Sequence, residues 1–392
     1  MATNQATKKE KFDTYQGFEQ GPIRPPSEAE SLLIRITRNC PWNRCTFCPV
    51  YKGERFSLRP AEHVKKDIDA VNKSIGALKK VTDADGTINR TALNSAAQQM
   101  AGDEMRAFHA AIHWMNNGMK SIFIQDANSL IIKPHDLIDI LEHLKKCFPW
   151  VERITSYARS HTIVRIKDED LAAMGKAGLN RIHIGLESGS DDVLKKVKKG
   201  VTKDVHIRAG LKVKEHNIQL SEYVMPGLGG RALSHIHARE TADALNQINP
   251  EFIRLRSLAI PNSVELFQDW NSGTFEKCAD LEMAEEILLF LESLDGITSY
   301  IKSDHILNLF EEVEGQLPDA KNRMMETVRS FLDLPPEQRT IYQVGRRLGL
   351  FSRLHDLDNP QLVNQAEQAC RRFGINSDNV DNAIDELMKR FV

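Results

Sequence analysis

Three of the six cysteines lie within nine residues, in the stretch RNCPWNRCTFCPVY that runs from Arg38 to Tyr51. Cys40, Cys45 and Cys48 have the spacing C-x4-C-x2-C. Three cysteine thiolates can bind three of the four irons of a [4Fe–4S] cluster, with one ligand to each iron. The fourth iron then keeps an open coordination position, which distinguishes a catalytic metal site from a closed structural one. The spacing therefore favours an iron–sulfur cluster that binds a further ligand.

A structural zinc site is the alternative for the same three thiols. His63, which follows Cys48 by 15 residues, could supply the fourth ligand. Zinc sites usually pair their cysteines at C-x2–4-C spacing, and His63 lies early in a predicted helix. The two hypotheses stay open at this point, and they differ in whether the protein contains iron.

Composition and charge exclude several other classes of protein. The 392 residues include 52 Lys and Arg and 54 Asp and Glu, a formal net charge of −2. This balance gives no sign of a nucleic-acid or membrane partner. No apolar run approaches the roughly 20 residues that span a membrane, and the polar N-terminus is not a secretory signal. We expect a cytoplasmic protein, in which clustered cysteines indicate a metal or redox site rather than disulfides.

Short apolar runs alternate with amphipathic segments through the first two thirds of the chain. The runs predict strands, and the segments between them show helical periodicity. The predicted strands are 31–37, 120–125, 153–158, 181–186, 220–225 and 252–260, and the helices between them include 134–148, 168–178 and 190–200. Six such repeats predict an α/β fold, a partial (βα)6 TIM-like barrel with a parallel sheet.

Two regions depart from this alternation. Residues 58–119 are too long for a single crossover and predict a helical insertion. The chain after about residue 262 becomes mostly helical, with apolar residues at i, i+3 and i+4. We predict an N-terminal tail at 1–28, a core domain at 29–262 that includes the insertion, and a mostly helical C-terminal region at 263–392. Its predicted helices are 283–294, 321–334, 360–374 and 380–391.

Polar and glycine-rich motifs follow the predicted strands. Ligands of parallel α/β folds bind at the carboxyl ends of the strands, so these motifs predict one site. They are QDAN (125–128), YARSH (157–161), GLESGS (185–190), MPGLGG (225–230) and the pair Arg254 and Arg256. The cysteine loop follows the first strand and belongs to the same rim.

The cysteine loop and the stretch RIHIGLESGSDDVLKKVKKG (181–200) together resemble the radical S-adenosylmethionine (SAM) enzymes. The resemblance is to the group that contains anaerobic coproporphyrinogen oxidases, tRNA methylthiotransferases and Elongator-type enzymes, and it covers about residues 30–260. The common signature there is C-x3-C-x2-C with an aromatic residue before the last cysteine. This chain keeps the aromatic, Phe47, but has one extra residue in the first interval.

The resemblance implies a [4Fe–4S] cluster whose open iron binds the amino and carboxylate groups of SAM. One electron, from a donor such as flavodoxin or ferredoxin, would cleave SAM to a 5′-deoxyadenosyl radical that abstracts hydrogen from an unidentified substrate. The cofactor supplies the chemistry, and the protein positions it and excludes water.

The family pattern also implies roles for individual residues. Cys40, Cys45 and Cys48 would ligate the cluster. Phe47 would pack near the adenine, Asp126 would bind the SAM amine, and Arg159 would pair with the SAM carboxylate. The remaining expected SAM contacts are Asn128, Glu187, Gly227, Gly229, Arg254 and Arg256.

Structural interpretations of these residues stay open beside the functional ones. Glu187 could cap a helix, Asp126 could be a turn residue, and the three arginines could form salt bridges. The lysine run at 195–203 predicts a solvent-exposed helix face. SDHILN (303–308) could line a substrate cavity, and YQVGRRLG (342–349) could bind a substrate carboxylate.

Two further functions remain as alternatives to catalysis. A non-catalytic member of the same fold could carry a cofactor or haem, and would bind SAM without cleaving it. A zinc-stabilised binding protein is the weaker alternative. The absence of a second cysteine cluster and of a recognisable cobalamin-binding segment leads us to expect neither an auxiliary cluster nor cobalamin.

Overall fold

The predicted apolar runs form strands in the computed structural model, which describes residues 14–82, 90–98 and 102–388. Residues 1–13 of the predicted tail and 389–391 of the last predicted helix lie outside the described residues. The strands are β1 (Leu32–Arg35), β2 (Thr37–Arg38), β3 (Ser57–Leu58), β4 (Ser121–Gln125), β5 (Arg153–Ala158), β6 (Arg181–Glu187), β7 (Gln219–Val224), β8 (Phe252–Leu255), β9 (Tyr300–Lys302) and β10 (Gly315–Gln316).

Eight of these strands form one mostly parallel sheet, in the order β1-β4-β5-β6-β7-β8-β9-β10. β1 pairs with β4 in parallel register, Leu32 opposite Ile122, and β7 pairs with β8, Glu222 opposite Ile253. β10 is antiparallel to β9. A separate antiparallel pair joins β2 to β3, with Thr37 opposite Leu58. The α/β fold class expected from the alternation of strands and helices is confirmed.

The helices occupy the intervals between the strands and most of the C-terminal region. They are α1 (Ala61–Lys80), α2 (Arg90–Gln98), α3 (Gly102–Asn116), α4 (Pro134–Cys147), α5 (Ser160–Ile163), α6 (Asp168–Ala177), α7 (Asp191–Lys196), α8 (Lys203–Glu215), α9 (Gly230–Ile248), α10 (Glu265–Asn271), α11 (Asp280–Ser293), α12 (Lys321–Leu332), α13 (Pro336–Arg347), α14 (Pro360–Phe373) and α15 (Val380–Met388). None of the described helices is both long and apolar enough to cross a membrane.

The chain divides into two units. Unit 1 comprises the described residues of Met1–Pro41, Gly53–His183 and Glu215–Ile218. Unit 2 comprises Trp42–Lys52, Ile184–Lys214 and the described residues of Gln219–Val392.

Helix α1 shows why the predicted insertion is helical. Its buried apolar residues recur every three or four positions and line one face, because 3.6 residues complete each helical turn. They are Val64, Ile68, Val71, Ile75 and Leu78. This helix packs against α3 and α4 within unit 1.

The predicted strand 252–260 is shorter in the structure, where β8 ends at Leu255. Beyond that residue the backbone N–H of Arg256 donates to Val224 O (2.9 Å), and that of Leu258 donates to Pro226 O (2.9 Å). The chain therefore follows the MPGLGG loop, and its apolar residues are buried there instead of in a strand. The C-terminal region also contains β9 and β10, which helical periodicity did not indicate.

A buried charge network joins the start of α1 to the N-terminal segment of unit 1. The Nη1 of Arg59 lies 2.7 Å from Asp67 Oδ2, and both side chains are almost fully buried, at 1% and 0% exposed. Tyr15 donates its hydroxyl to Asp67 Oδ1 (2.8 Å), and Glu19 lies 3.5 Å from Arg59 Nε. Since each buried charge has several partners, the network fixes where α1 begins.

Replacing Asp67 with Ala should destabilise the protein, because the Arg59 guanidinium would stay buried without its closest carboxylate. Breaking a buried pair in this way costs about 3–5 kcal/mol. Lys73→Ala, which removes an exposed pair with Glu104, should cost about 0–1 kcal/mol. The midpoints of urea unfolding measure both effects, and equal losses in the two variants would contradict the prediction.

Candidate functional site

The part of the cysteine loop that belongs to unit 2, residues 42–52, is hydrogen-bonded to the segment that follows α7. The backbone N–H of Thr46 donates to Val197 O (3.0 Å). The indole Nε1 of Trp42 donates to Lys198 O (2.8 Å). The GLESGS motif and the cysteine loop are thus held near each other by the turn that lies between α7 and α8.

Phe47 is 8% exposed and belongs to an apolar cluster of unit 2, here called the Phe47 cluster. Its other buried members are Val193, Val197, Met225, Leu228, Leu258, Ile260, Val264, Leu266 and Phe275. Cys45 and Cys48 are half-buried and pack against this cluster. The two thiols therefore lie beside apolar surface that limits the access of water to whatever they bind.

Cys40 belongs to unit 1 and is also half-buried. It follows β2 by two residues, and Asn39 before it has a positive φ of 67°. The Asn39 amide donates to Arg55 O (2.6 Å), which stabilises the turn into the cysteine loop. Three sulfur donors in one short loop suit a soft metal, so the donor set fits an iron–sulfur cluster.

Glu187 ends β6 and pairs with a lysine of the run that follows. Its Oε1 lies 3.0 Å from Lys199 Nζ, and both side chains are about one-seventh exposed. The same Nζ is 6.0 Å from the centre of the Phe47 ring. Lys199 therefore connects the carboxylate to the aromatic residue of the cysteine loop, and it departs from the solvent-exposed face expected for residues 195–203.

The lack of a side chain at Gly185 makes room for the ion pair of Glu187 and Lys199. A Cβ at this position would lie 2.3 Å from Glu187 Oε1 and 3.0 Å from Lys199 Nζ. Glu187 itself has a positive φ of 63°, uncommon for a residue other than glycine. Its carbonyl accepts from Met225 N–H (3.0 Å), which bonds the GLESGS motif to the MPGLGG loop.

A buried hydrogen-bond network joins the GLESGS and MPGLGG loops to helices α9 and α11. His237 on α9 donates from Nε2 to Met225 O (3.1 Å), so its Nδ1 accepts from the Ser188 hydroxyl (2.8 Å). Glu286 on α11 accepts from Gly227 N–H and from the Ser234 hydroxyl, each at 2.6 Å. Because its polar groups are buried and satisfied, the network makes the loops rigid.

The predicted glycine positions have local structural explanations. Gly227 has a φ of +83°, and a Cβ there would lie 3.0 Å from Met283 Cε. Gly229 has an ordinary φ, but a Cβ would lie 2.9 Å from Leu233 O. Both glycines shape the MPGLGG loop, and their expected approach to a ligand stays a prediction.

Asp126 in unit 1 is engaged in an ion pair. Its Oδ2 lies 2.7 Å from Arg35 Nη2, and its side chain is fully buried. A Cβ on Gly21 would lie 2.5 Å from the same carboxylate, so the N-terminal segment covers it. The interpretation of Asp126 as a ligand of the SAM amine stays a prediction. To bind the amine, the carboxylate would either share its Arg35 partner with the amine or exchange Arg35 for it.

Asn128 and Arg159 are brought together at the ends of β4 and β5. Asn128 Oδ1 accepts from the backbone N–H of Arg159 (3.0 Å), and its Nδ2 donates to Thr162 Oγ1 (2.9 Å). Asn128 thus sets the backbone position of Arg159, just before α5 begins.

Arg254 and Arg256 have different environments. Arg254 is 6% exposed and its Nη1 lies 2.9 Å from Asp304 Oδ2, whereas Arg256 is exposed. Burial, and next the charge of Arg256, lower the pKa of His305 to about 4, and its Nδ1 accepts from Leu307 N–H (3.2 Å). Asp304 and His305 therefore have separate partners, and His305 is neutral at pH 7.

The two arginines of YQVGRRLG lie at the end of α13 and are buried. Arg347 Nη2 lies 2.7 Å from Asp280 Oδ1, and Arg346 Nη2 lies 2.6 Å from Glu311 Oε1. Arg347 also donates to Leu307 O (2.7 Å). These contacts join α13 to α11 and to the segment after β9, which is a structural role.

Glu222 on β7 is a residue that the motifs did not indicate. Its side chain is fully buried, and neither carboxyl oxygen has a hydrogen-bond partner among the described residues. Burial, and next the charge of Glu187, hold its pKa well above the usual range. Glu222 lies within a strand and belongs to none of the motifs, so the sequence carries no signal for its burial.

Gly189 supplies a test of how closely the GLESGS loop must approach α9. A Cβ there would lie 2.2 Å from Glu240 O and 2.7 Å from Thr241 Cα, both backbone atoms. We expect Gly189→Ala to destabilise the protein by about 1–3 kcal/mol, since the backbone of the loop or of α9 must move to admit the Cβ. In Gly76→Ala of α1 the new Cβ meets nothing within 4 Å.

Gly76→Ala should instead stabilise the protein by about 0.5–1 kcal/mol, because glycine is costly inside a helix. Urea unfolding of the two variants measures this difference in sign. A neutral effect of Gly189→Ala would show that the loop is not held against the helix.

A curated relative, the tRNA uridine(34) acetyltransferase of Methanocaldococcus infernus, is 23% identical to the chain over 128 residues. The match covers 32% of this chain and 24% of that protein, so the chain spans about a quarter of the relative's length.

Two solved structures have similar folds over part of their length. An archaeal Elp3 of Methanocaldococcus infernus with an N-terminal deletion matches 51% of this chain and 53% of its own, with 16% identity and a TM-score of 0.41. The coproporphyrinogen III oxidase HemN of Escherichia coli matches 74% of this chain and 60% of its own, with 13% identity and a TM-score of 0.44.

The family comparison covers the elements that carry the cysteine loop and the GLESGS and MPGLGG motifs. The model of the radical SAM superfamily matches residues 34–239, from β1 into α9 and more than half of the chain. The chain therefore belongs to the radical SAM superfamily.

Proposed function

We propose that the protein binds a [4Fe–4S] cluster through Cys40, Cys45 and Cys48 and cleaves SAM reductively to start radical chemistry on a substrate. Radical SAM enzymes typically use this cluster with SAM and need a reductant. The observation that carries the proposal is the packing of Cys45, Cys48 and Phe47 on one apolar cluster, beside Lys199.

The chain would supply a partly dry environment for the cluster. The Phe47 cluster covers one side of the two thiols and lowers the local dielectric. When bound, the cluster and SAM together supply one-electron cleavage of the sulfonium. The protein's part is to hold the thiolates at one end of a rigid loop and to keep water away from the reacting atoms.

Glu187 and Lys199 would bind the polar groups of SAM. A carboxylate accepts from hydroxyl or ammonium donors, and an ammonium donates to a carboxylate. The pair is about one-seventh exposed, so it is reachable from solvent and only partly screened. The network of Ser188, His237 and Glu286 would keep the loops that carry these groups in place.

The residues of unit 1 support the proposal through their chemistry. Arg159 offers a guanidinium that can form a bidentate pair with a carboxylate. Asn128 fixes its backbone, which lowers the entropic cost of binding. Asp126, Gly227, Arg254 and Arg256 complete the proposed set of SAM contacts. A flavodoxin or ferredoxin would supply the electron.

The direct test is SAM cleavage under anaerobic conditions. Protein reconstituted with iron and sulfide, then given SAM and dithionite, should form 5′-deoxyadenosine, measured by chromatography. Cys45→Ala should form none, because one iron loses its protein ligand. Cys370→Ala removes a single buried thiol on α14, and should cleave SAM like the parent protein.

The other outcomes of this experiment are equally informative. If the cluster-loaded protein binds SAM but does not cleave it, even after cell extract that contains the substrate is added, the proposal of catalysis is wrong and the protein is a carrier. Purified protein that takes up no iron, and that contains zinc which Cys45→Ala loses, would overturn the proposal in favour of a zinc site on the three cysteines.

Glu187→Gln tests the role of the carboxylate in binding SAM. The amide keeps the shape but removes the charge, and the loss of a charge-assisted hydrogen bond costs about 1.5–3 kcal/mol. We expect the dissociation constant for SAM to rise about ten- to a hundredfold. Equilibrium dialysis with cluster-loaded protein measures this constant.

Glu265→Gln is the matched control for this variant. Glu265 forms an ion pair with Lys198, the neighbour of Lys199, but the side chains of Glu265 and Lys198 are both about half exposed. We expect no change in SAM affinity for this control. Equal affinities for Glu187→Gln and the parent protein would remove Glu187 from the SAM site.

A further inference from the structure

Three side chains of different donor types meet on the surface of unit 1, outside the site described above. Asp69 lies on α1, and His143 and Cys147 lie on α4. One donor atom from each residue lies within 4.8 Å of the other two. Together they offer a carboxylate oxygen, an imidazole nitrogen and a sulfur.

The backbone explains why the donors converge. His143 and Cys147 are four residues apart on one helix, so they lie on the same face. Helix α1 packs against α4 along that face, which brings Asp69 opposite both residues. The neighbouring pair Lys65 and Asp139 also joins the two helices, so the local arrangement is fixed at more than one point.

Two of the three distances between the donor atoms are close to the edges of a tetrahedral metal site. His143 Nε2 lies 3.7 Å from Cys147 Sγ, and Asp69 Oδ1 lies 3.8 Å from the same sulfur. The edges of a zinc site with ordinary bond lengths are about 3.4–3.6 Å. The remaining distance, 2.7 Å between Asp69 Oδ1 and His143 Nε2, is that of a hydrogen bond. It would lengthen by about 0.7 Å around an ion, through rotation of the exposed Asp69 side chain.

We propose that Asp69, His143 and Cys147 form a binding site for a divalent transition metal, zinc in the first instance, with three protein ligands and one exchangeable position. Zinc accepts nitrogen, sulfur and oxygen ligands in tetrahedral geometry, and three-ligand sites keep a water in the fourth position. A thiolate among the ligands disfavours Mg²⁺ and Ca²⁺, which prefer oxygen ligands.

The charges and the exposure of the site are consistent with this assignment. A thiolate and a carboxylate together balance the charge of a divalent ion. The Asp69 side chain is 58% exposed and that of His143 is 22% exposed, so an ion can enter from solvent.

A bound ion would cross-link α1 to α4 within unit 1. Because Asp69 follows Asp67 by two residues, the ion would add a cross-link beside the buried charge network at the start of α1. The proposal does not depend on SAM cleavage, and each can fail without the other.

The test is a cobalt titration of the full chain in which Cys40, Cys45 and Cys48 are replaced with Ala, so that the proposed cluster ligands cannot bind cobalt. We expect one equivalent of Co²⁺ to produce a thiolate-to-cobalt charge-transfer band together with the intense visible bands of four-coordinate cobalt. Added Zn²⁺ should displace it. Cys147→Ser should abolish the charge-transfer band, and His143→Ala and Asp69→Asn should each weaken binding at least about tenfold.

Cys370→Ser is the matched control, since Cys370 is also a thiol on a helix but is absent from the three-donor group. It should leave the titration unchanged. A band that survives Cys147→Ser, or only the weak visible bands of six-coordinate cobalt, would overturn the proposal. If the triple variant does not fold, zinc content is compared in cluster-loaded parent and Cys147→Ser protein: one equivalent lost at constant iron supports the site, and no difference overturns it.

Discussion

Parallel pairing of strands is the constraint on which the arrangement of functional residues depends. β1, β4 and β5 pair in parallel in unit 1, and β7, β8 and β9 do so in unit 2. Parallel neighbours need a crossover between them, so every strand ends at the same edge as its partner. Residues that directly follow the strands are thereby collected without any sequence proximity. Asn128 and Arg159, which are 31 residues apart, meet in this way.

The loops at these strand ends are rigid because their polar groups are satisfied inside the fold. His237 bonds to the Ser188 side chain of the GLESGS loop and to the Met225 carbonyl of the MPGLGG loop. Glu286, on a second helix, accepts from the Gly227 N–H of the MPGLGG loop. Removing any one partner would leave a buried donor or acceptor unpaired, at a cost of about 1–3 kcal/mol. The proposed radical chemistry would benefit from this rigidity, since a reactive intermediate must meet only its intended substrate. Glu222 is the exception, a fully buried carboxyl whose oxygens have no hydrogen-bond partner among the residues that the structure describes and whose pKa burial raises.

The predicted SAM contacts fall into two groups by their present partners. Asp126 and Arg254 are already used in buried or nearly buried ion pairs, with Arg35 and Asp304. Glu187 is reachable, and its partner Lys199 lies near Phe47. The Glu187 side chain is 14% exposed and that of Asp126 is 0% exposed, so a ligand reaches Glu187 with less desolvation. The carboxylate of Glu187 is therefore a more accessible binding group than that of Asp126.

The sequence by itself determined the α/β alternation, the position of the cysteine loop after the first strand, and membership of the radical SAM superfamily. These depend on periodicity and on motifs whose residues are neighbours along the chain. Only the tertiary structure placed Lys199 beside Phe47, joined Ser188 to His237 across 49 residues, and brought Asp69 to His143 across 74. Contacts at such separations depend on how helices and strands pack, and local sequence patterns do not record that packing. Tertiary packing also explains why β8 is shorter than predicted. The apolar residues that follow Leu255 are buried against the MPGLGG loop and do not pair in a sheet.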